Sequence, residues 1–102
     1  MAIYIVNPNS EPLHLNQDTA DLDTLLKLLD AENLEHIPGL TSYNGELAEM
    51  IGDELSAITG KPYNDAATRL RDAALSADGY RTSEAPIHGP VLILTGAHRM
   101  AG

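Results

Sequence analysis

Two rhythms of apolar residues run along this chain, and the changes between them mark its elements. Residues 2–6 form a short apolar, β-branched run that stops at Asn7-Pro8-Asn9-Ser10, a turn cluster in which proline removes a ladder donor. A strand and a turn are expected there, and the alternation of Leu13-His14-Leu15 beyond them suits a returning hairpin arm. From Asp18 to Asp30 the period becomes helical, with Leu22, Leu25, Leu26 and Leu29 on one face, Asp18 or Thr19 available as N-cap, and Asp21 and Asp23 near the positive end of the helix dipole. Leu34-Glu35-His36-Ile37 reads as a strand closed by Pro38-Gly39. Between Glu46 and Thr59, the spacing of Leu47, Met50, Ile51, Leu55 and Ile58 fits a helix closed by Gly60.

A second helix is predicted from Asn64, as N-cap, to about Asp78-Gly79. Ala66, Ala67, Leu70, Ala73, Ala74 and Ala77 form a small-residue face that can lie close on a sheet, with Asp65 and Arg69 paired one turn apart on the outside. After a loop from Tyr80 to Pro86, Val91 to Leu94 are apolar at every position. Such a run suits a central strand covered on both faces, or one partly covered by a partner subunit. No repeat or low-complexity segment interrupts the pattern.

Composition narrows the picture. A chain of 102 residues is expected to be one domain over its whole length, and without Phe or Trp its core falls to Leu, Ile, Val and Ala. The absence of Cys removes disulfides, thiolate metal sites and cysteine nucleophiles. Neither a signal-peptide pattern at Met1-Ala2-Ile3-Tyr4 nor a run of membrane-spanning length is seen, so a soluble protein of the cytoplasm, bound to no membrane, is expected. The net charge of −9 disfavours direct nucleic-acid binding. It is unevenly placed. Residues 1–60 carry eleven Asp and Glu against Lys27 alone, and residues 61–102 carry four against five Lys and Arg. The first half could meet a basic partner; an anionic ligand would find its cations at Lys61, Arg69, Arg71, Arg81 and Arg99.

Catalytic and metal signatures are missing. His14, His36, His88 and His98 stand singly, and the carboxylates around the first helix lack the order of a calcium loop. The five serines include no nucleophile elbow, and neither glycine-rich phosphate cradle occurs. One candidate site remains, at the start of the second helix. There the first-turn amides after Asn64, the Thr68 hydroxyl and the nearby Lys61, Tyr63, Arg69 and Arg71 could hold a phosphate or carboxylate, with Asp65 opposing it.

Two segments carry a family resemblance. Gly60-x-Pro62-x-Asn64 with Ala67-Thr68, and Gly89-Pro90-Val91 ending at Gly96, look like the C-terminal half of the DUF3846 family, small domains found mainly in phages and other bacterial mobile elements. The match is best from Gly45 to Gly96 and looser from Ile3 to Ile37. Asp30-Ala31-Glu32 stands where a glycine pair is usual, and Gly52-Asp53-Glu54 lacks the usual Lys. The resemblance implies a strand around Met50-Ile51, against the helix that periodicity favours, and it transfers no functional residues because none is established for the family.

The expected fold is α+β: a mixed sheet of about four strands, with two helices on one face and the last strand inside the sheet. A core this poor in aromatics makes a homodimer an expectation as well. The expected function is a non-catalytic binding protein of a phage or mobile element. It would interfere with a host process such as defence by sequestering a small anionic nucleotide signal, with no cofactor, or alternatively act as an acidic interaction module or DNA mimic that inhibits a host protein.

Overall fold

A computed structural model of the chain describes residues 3–8, 10–15, 22–53, 60–77, 79 and 86–96. The elements run β1 (Ile3–Val6), β2 (Leu13–Leu15), α1 (Leu22–Leu29), β3 (Leu34–Ile37), β4 (Ser42–Tyr43), β5 (Glu46–Asp53), α2 (Asp65–Ala77) and β6 (Val91–Thr95). The strands lie in the order β2-β1-β6-β5-β3, with β4 paired to β5 off this path. The fold is α+β, and β6 is inside the sheet, between β1 and β5. Leu13-His14-Leu15 returns beside β1 as a hairpin arm, with His14 opposite Tyr4.

Three details of the expected architecture change. The sheet has six strands, every described pairing is antiparallel, and the helices cover opposite faces. The reason lies in β6, all five of whose residues are buried. Successive side chains on a strand point to opposite faces, so such a strand needs cover on both. Val91 and Ile93 join Val6, Met50 and Ala67 in a core under α2. Leu92 and Leu94 join Ile3, Ile51, Leu25 and Leu29 in a second core under α1. Burying a side chain of this size contributes about 1.5–3 kcal/mol, so leaving either face bare would forfeit several such terms.

The segment from Glu46 to Asp53 is a strand, and residues 54–59 lie outside the described residues. Helical periodicity fails here because β5 is paired on both sides, to β6 and to β3, and buries residues on both faces. Asn44 and Gly45, at φ 50° and 81°, form a two-residue turn into it. Positive φ at both positions is the mark of the hairpin turn whose twist matches paired strands.

Asn64 caps α2 as expected, its Oδ1 accepting from the Ala67 amide at 3.0 Å. The face that packs is narrower than the alanine stripe. Ala67, Thr68 and Arg71 are buried, whereas Ala73 and Ala77 are exposed. Leu25 and Leu29 bury one face of α1, and its expected caps, Asp18 and Thr19, lie outside the described residues.

Candidate functional site

The two segments that carry the resemblance meet in space. Tyr63 pairs with His88 in an isolated antiparallel bridge, flanked by Asn64 N–H to Ile87 O and Gly89 N–H to Pro62 O, both at 2.7 Å. Asn64 is the centre of this junction and fully buried. Its Nδ2 donates to Val6 O and to Gly89 O, each at 2.8 Å, so one amide group ties the end of β1 to the approach to β6. Its carbonyl accepts from the Thr68 amide and from the Thr68 hydroxyl. Thr68 Oγ1 in turn accepts from Ile87 N–H at 3.0 Å. The Asn-x-x-Ala-Thr pattern is thereby explained residue by residue: asparagine supplies two donors and an acceptor in one plane, alanine an amide with no bulk, and threonine a hydroxyl that both donates and accepts.

The six residues expected to hold an anion do not converge. Lys61 Nζ donates to Asp53 Oδ2 at 2.7 Å and to the carbonyls of Leu29 and Asp30, both at 3.3 Å. It therefore closes the C-terminal end of α1, where bare carbonyls and the negative end of the dipole favour a cation. Arg71 is buried, with its guanidinium on Asp72 Oδ1. Arg69 is 80% exposed and pairs with Asp65 Oδ2 at 2.9 Å, and Tyr63 is exposed, with its hydroxyl 3.4 Å from Asp65 Oδ1. Asp65 thus occupies the first turn of α2 beside an amide already capped by Asn64. Arg81, Arg99 and His98 lie outside the described residues.

Four surface features remain. Arg69 and Asp65 line an open groove of about 590 Å³ between α2 and residues Ser10, Glu11 and Pro12, whose floor includes Leu70. Near it Tyr4 meets Tyr43 edge-on at 4.9 Å and His14 at 5.2 Å; burial, with Tyr4 and Glu11 close by, raises the Tyr43 phenol above its usual range. From α1 to β3 the chain presents exposed carboxylates at Asp23, Asp30, Glu32 and Glu35 against one exposed cation, Lys27. A second cavity lies where β3 and β4 separate from β5.

No protein-family model matches the chain, and no curated protein or solved structure matches it.

Among the described residues, no three His, Asp or Glu are grouped to hold a metal ion, and no helix is long and apolar enough to cross a membrane. The sequence reading missed the second cavity. Its acidic member, Glu49, is a buried carboxylate of β5, flanked by the apolar Ala48 and Met50.

Proposed function

We propose that this protein is a non-catalytic interaction module that binds a basic partner protein through the acidic segment from α1 to β3. In the phage or mobile-element setting that the family resemblance implies, the partner is a host protein whose process the module obstructs. One observation carries this reading: the division of charge over the surface. Carboxylates at Asp23, Asp30, Glu32 and Glu35 are exposed, whereas two of the cations on which anion binding depended, Lys61 and Arg71, are engaged within the fold. Such a surface attracts basic proteins over roughly a Debye length, about 10 Å at 0.1 M salt, and loses that attraction as salt rises. The test uses immobilised protein and host extract at graded ionic strength, repeated with the triple variant D30K/E32K/E35K. A partner captured at low salt and lost both at high salt and on charge reversal supports the reading. A complex indifferent to either overturns it.

Sequestration of a small anionic nucleotide is the second reading, favoured by the exposure of Arg69 in the 590 Å³ groove. A thermal-shift panel of cyclic nucleotides and ADP-ribose derivatives separates the two, because ligand at a hundred times its Kd adds about 2.7 kcal/mol. A shift that R69A removes favours the nucleotide.

A further inference from the structure

The sheet ends in two unlike edges. β3, at one end of the strand order, carries the exposed Glu35 and His36, and charge on a border strand opposes the addition of another chain. β2, at the other end, pairs with β1 on one side, and among the described residues no strand lies along its outer side. It carries no Asp, Glu, Lys or Arg, and its Leu13 is 59% exposed. Pro12 has no N–H to offer an incoming strand, so an added ladder begins at Leu13.

The register of β2 on β1 sorts its three residues by face. Leu13 lies opposite Ile5 and Leu15 opposite Ile3, on the side of the core under α1, against which Ile5 and Leu15 pack. His14 lies opposite Tyr4 on the other side; it is exposed, and its ring centroid is 5.2 Å from that of Tyr4. An incoming strand must therefore bring apolar side chains beside Leu13 and Leu15, and a flat group beside His14. The triplet itself meets that requirement. Leu-His-Leu reads the same in both directions, so a second copy can run antiparallel about a two-fold axis at His14. Leu13 then faces Leu15 of the partner subunit, and His14 faces His14 of the partner subunit. Apolar contacts continue from Ile5 and Leu13 across one face of the junction, and rings continue from Tyr4 and His14 across the other.

We infer that two copies of this chain associate edge to edge through β2, extending the sheet across a two-fold axis at His14. Because each copy uses the same edge, and the charged β3 edge adds no further chain, assembly stops at the dimer. A short ladder makes the association reversible and dependent on protein concentration. The inference goes beyond the interaction reading above and leaves its surface free: Glu35 is on β3, at the opposite end of the sheet, so each copy in the dimer still presents it.

Sedimentation velocity over a concentration series tests the association, and NMR spectra of nitrogen-labelled protein over the same series locate it. A monomer–dimer equilibrium is expected, with the amides of Leu13, His14 and Leu15 shifting as the dimer forms. H14K and H14E, at an exposed position, each set like charges on the axis and lower the dimer affinity by about tenfold or more. Mixed in equal amounts, the two variants set Lys against Glu and recover the association. A register that parts the two copies of residue 14 gives no such rescue. A protein that stays monomeric up to about 1 mM overturns the inference. So does a dimer whose shifts fall elsewhere or which both variants leave unchanged, and so does a pair of variants that stays monomeric when mixed. D30K/E32K/E35K leaves the dimer intact while weakening capture of the basic partner, so failure of the dimer leaves the interaction reading standing, and failure of that reading leaves the dimer.

Discussion

Replacing Asn64 separates two accounts of the residue most prominent in the sequence. If Asn64 only caps α2, then Asn64→Asp keeps the oxygen that accepts from the Ala67 amide, adds a charge that the dipole favours, and leaves stability unchanged or higher. If it is the junction of three segments, the same change turns the donor of two 2.8 Å bonds into an oxygen facing the carbonyls of Val6 and Gly89, with no water to separate them. The magnitude follows from the bonds. Loss of the cap costs about 1 kcal/mol. Each buried carbonyl left without a donor costs about 1–3 kcal/mol. Asn64→Ala should therefore destabilise by about 3–7 kcal/mol, out of a total on the order of 5–15 kcal/mol for a domain of this size. That corresponds to a fall in Tm of roughly 15–35 °C. Asn64→Asp should be at least as unstable as Asn64→Ala at neutral pH, and Asn64→Ser, which retains a cap, should recover about 1 kcal/mol. Urea unfolding followed by far-ultraviolet circular dichroism gives the midpoints. An Asn64→Asp protein as stable as the parent, or an Asn64→Ala protein within about 1 kcal/mol of it, would refute the junction.

Two further substitutions test the same framework. Lys61→Met removes the ammonium from Asp53, whose side chain is 8% exposed, and from the last carbonyls of α1; a loss of about 1–3 kcal/mol in the urea midpoint is expected, and an unchanged midpoint counts against the latch. Gly39→Ala meets both a positive φ and Arg71 Cγ at 2.9 Å, whereas Gly45→Ala, at φ 81°, meets nothing within 4 Å. The first should cost clearly more than the second, about 2–3 against about 1 kcal/mol by thermal unfolding, and equal losses would mean that the turn at Gly39 yields to the added carbon.

What was legible in the sequence is what local chemistry fixes. The cap at Asn64, the hairpin arm at Leu13-His14-Leu15 and the interior placement of Val91–Leu94 each depend on a short pattern with one physical solution. The placement of the helices was not local: only the parity of β6, whose even and odd residues face different cores, decides it, and that parity acts through residues from β1, β5 and both helices. The strand from Glu46 was readable from Asn44-Gly45, a dipeptide that commits the chain to a hairpin before the helical spacing of Leu47, Met50 and Ile51 can act. The candidate anion site failed to assemble for a different reason. Sequence places Lys61 three residues from Asn64, but backbone direction sends its ammonium to α1, beneath the opposite face of the sheet.

Asn64, Thr68 and Lys61 fasten the fold, and that separates stability from recognition. Asn64, Thr68 and Lys61 have their polar atoms bonded to backbone carbonyls, an amide and an internal carboxylate, so a ligand at any of them would have to break a bond the fold uses. Glu32 and Glu35 are exposed instead, on the acidic segment that leads into β3. Variants of the two groups should fail in opposite ways. Changes at Asn64 lower the unfolding midpoint while whatever protein remains folded binds as before. E32K and E35K leave the midpoint almost unmoved, since both positions are exposed, yet weaken the hold on a basic partner. If the two sets shift stability and binding together, the acidic segment is part of the same structural fastening and not a separate surface.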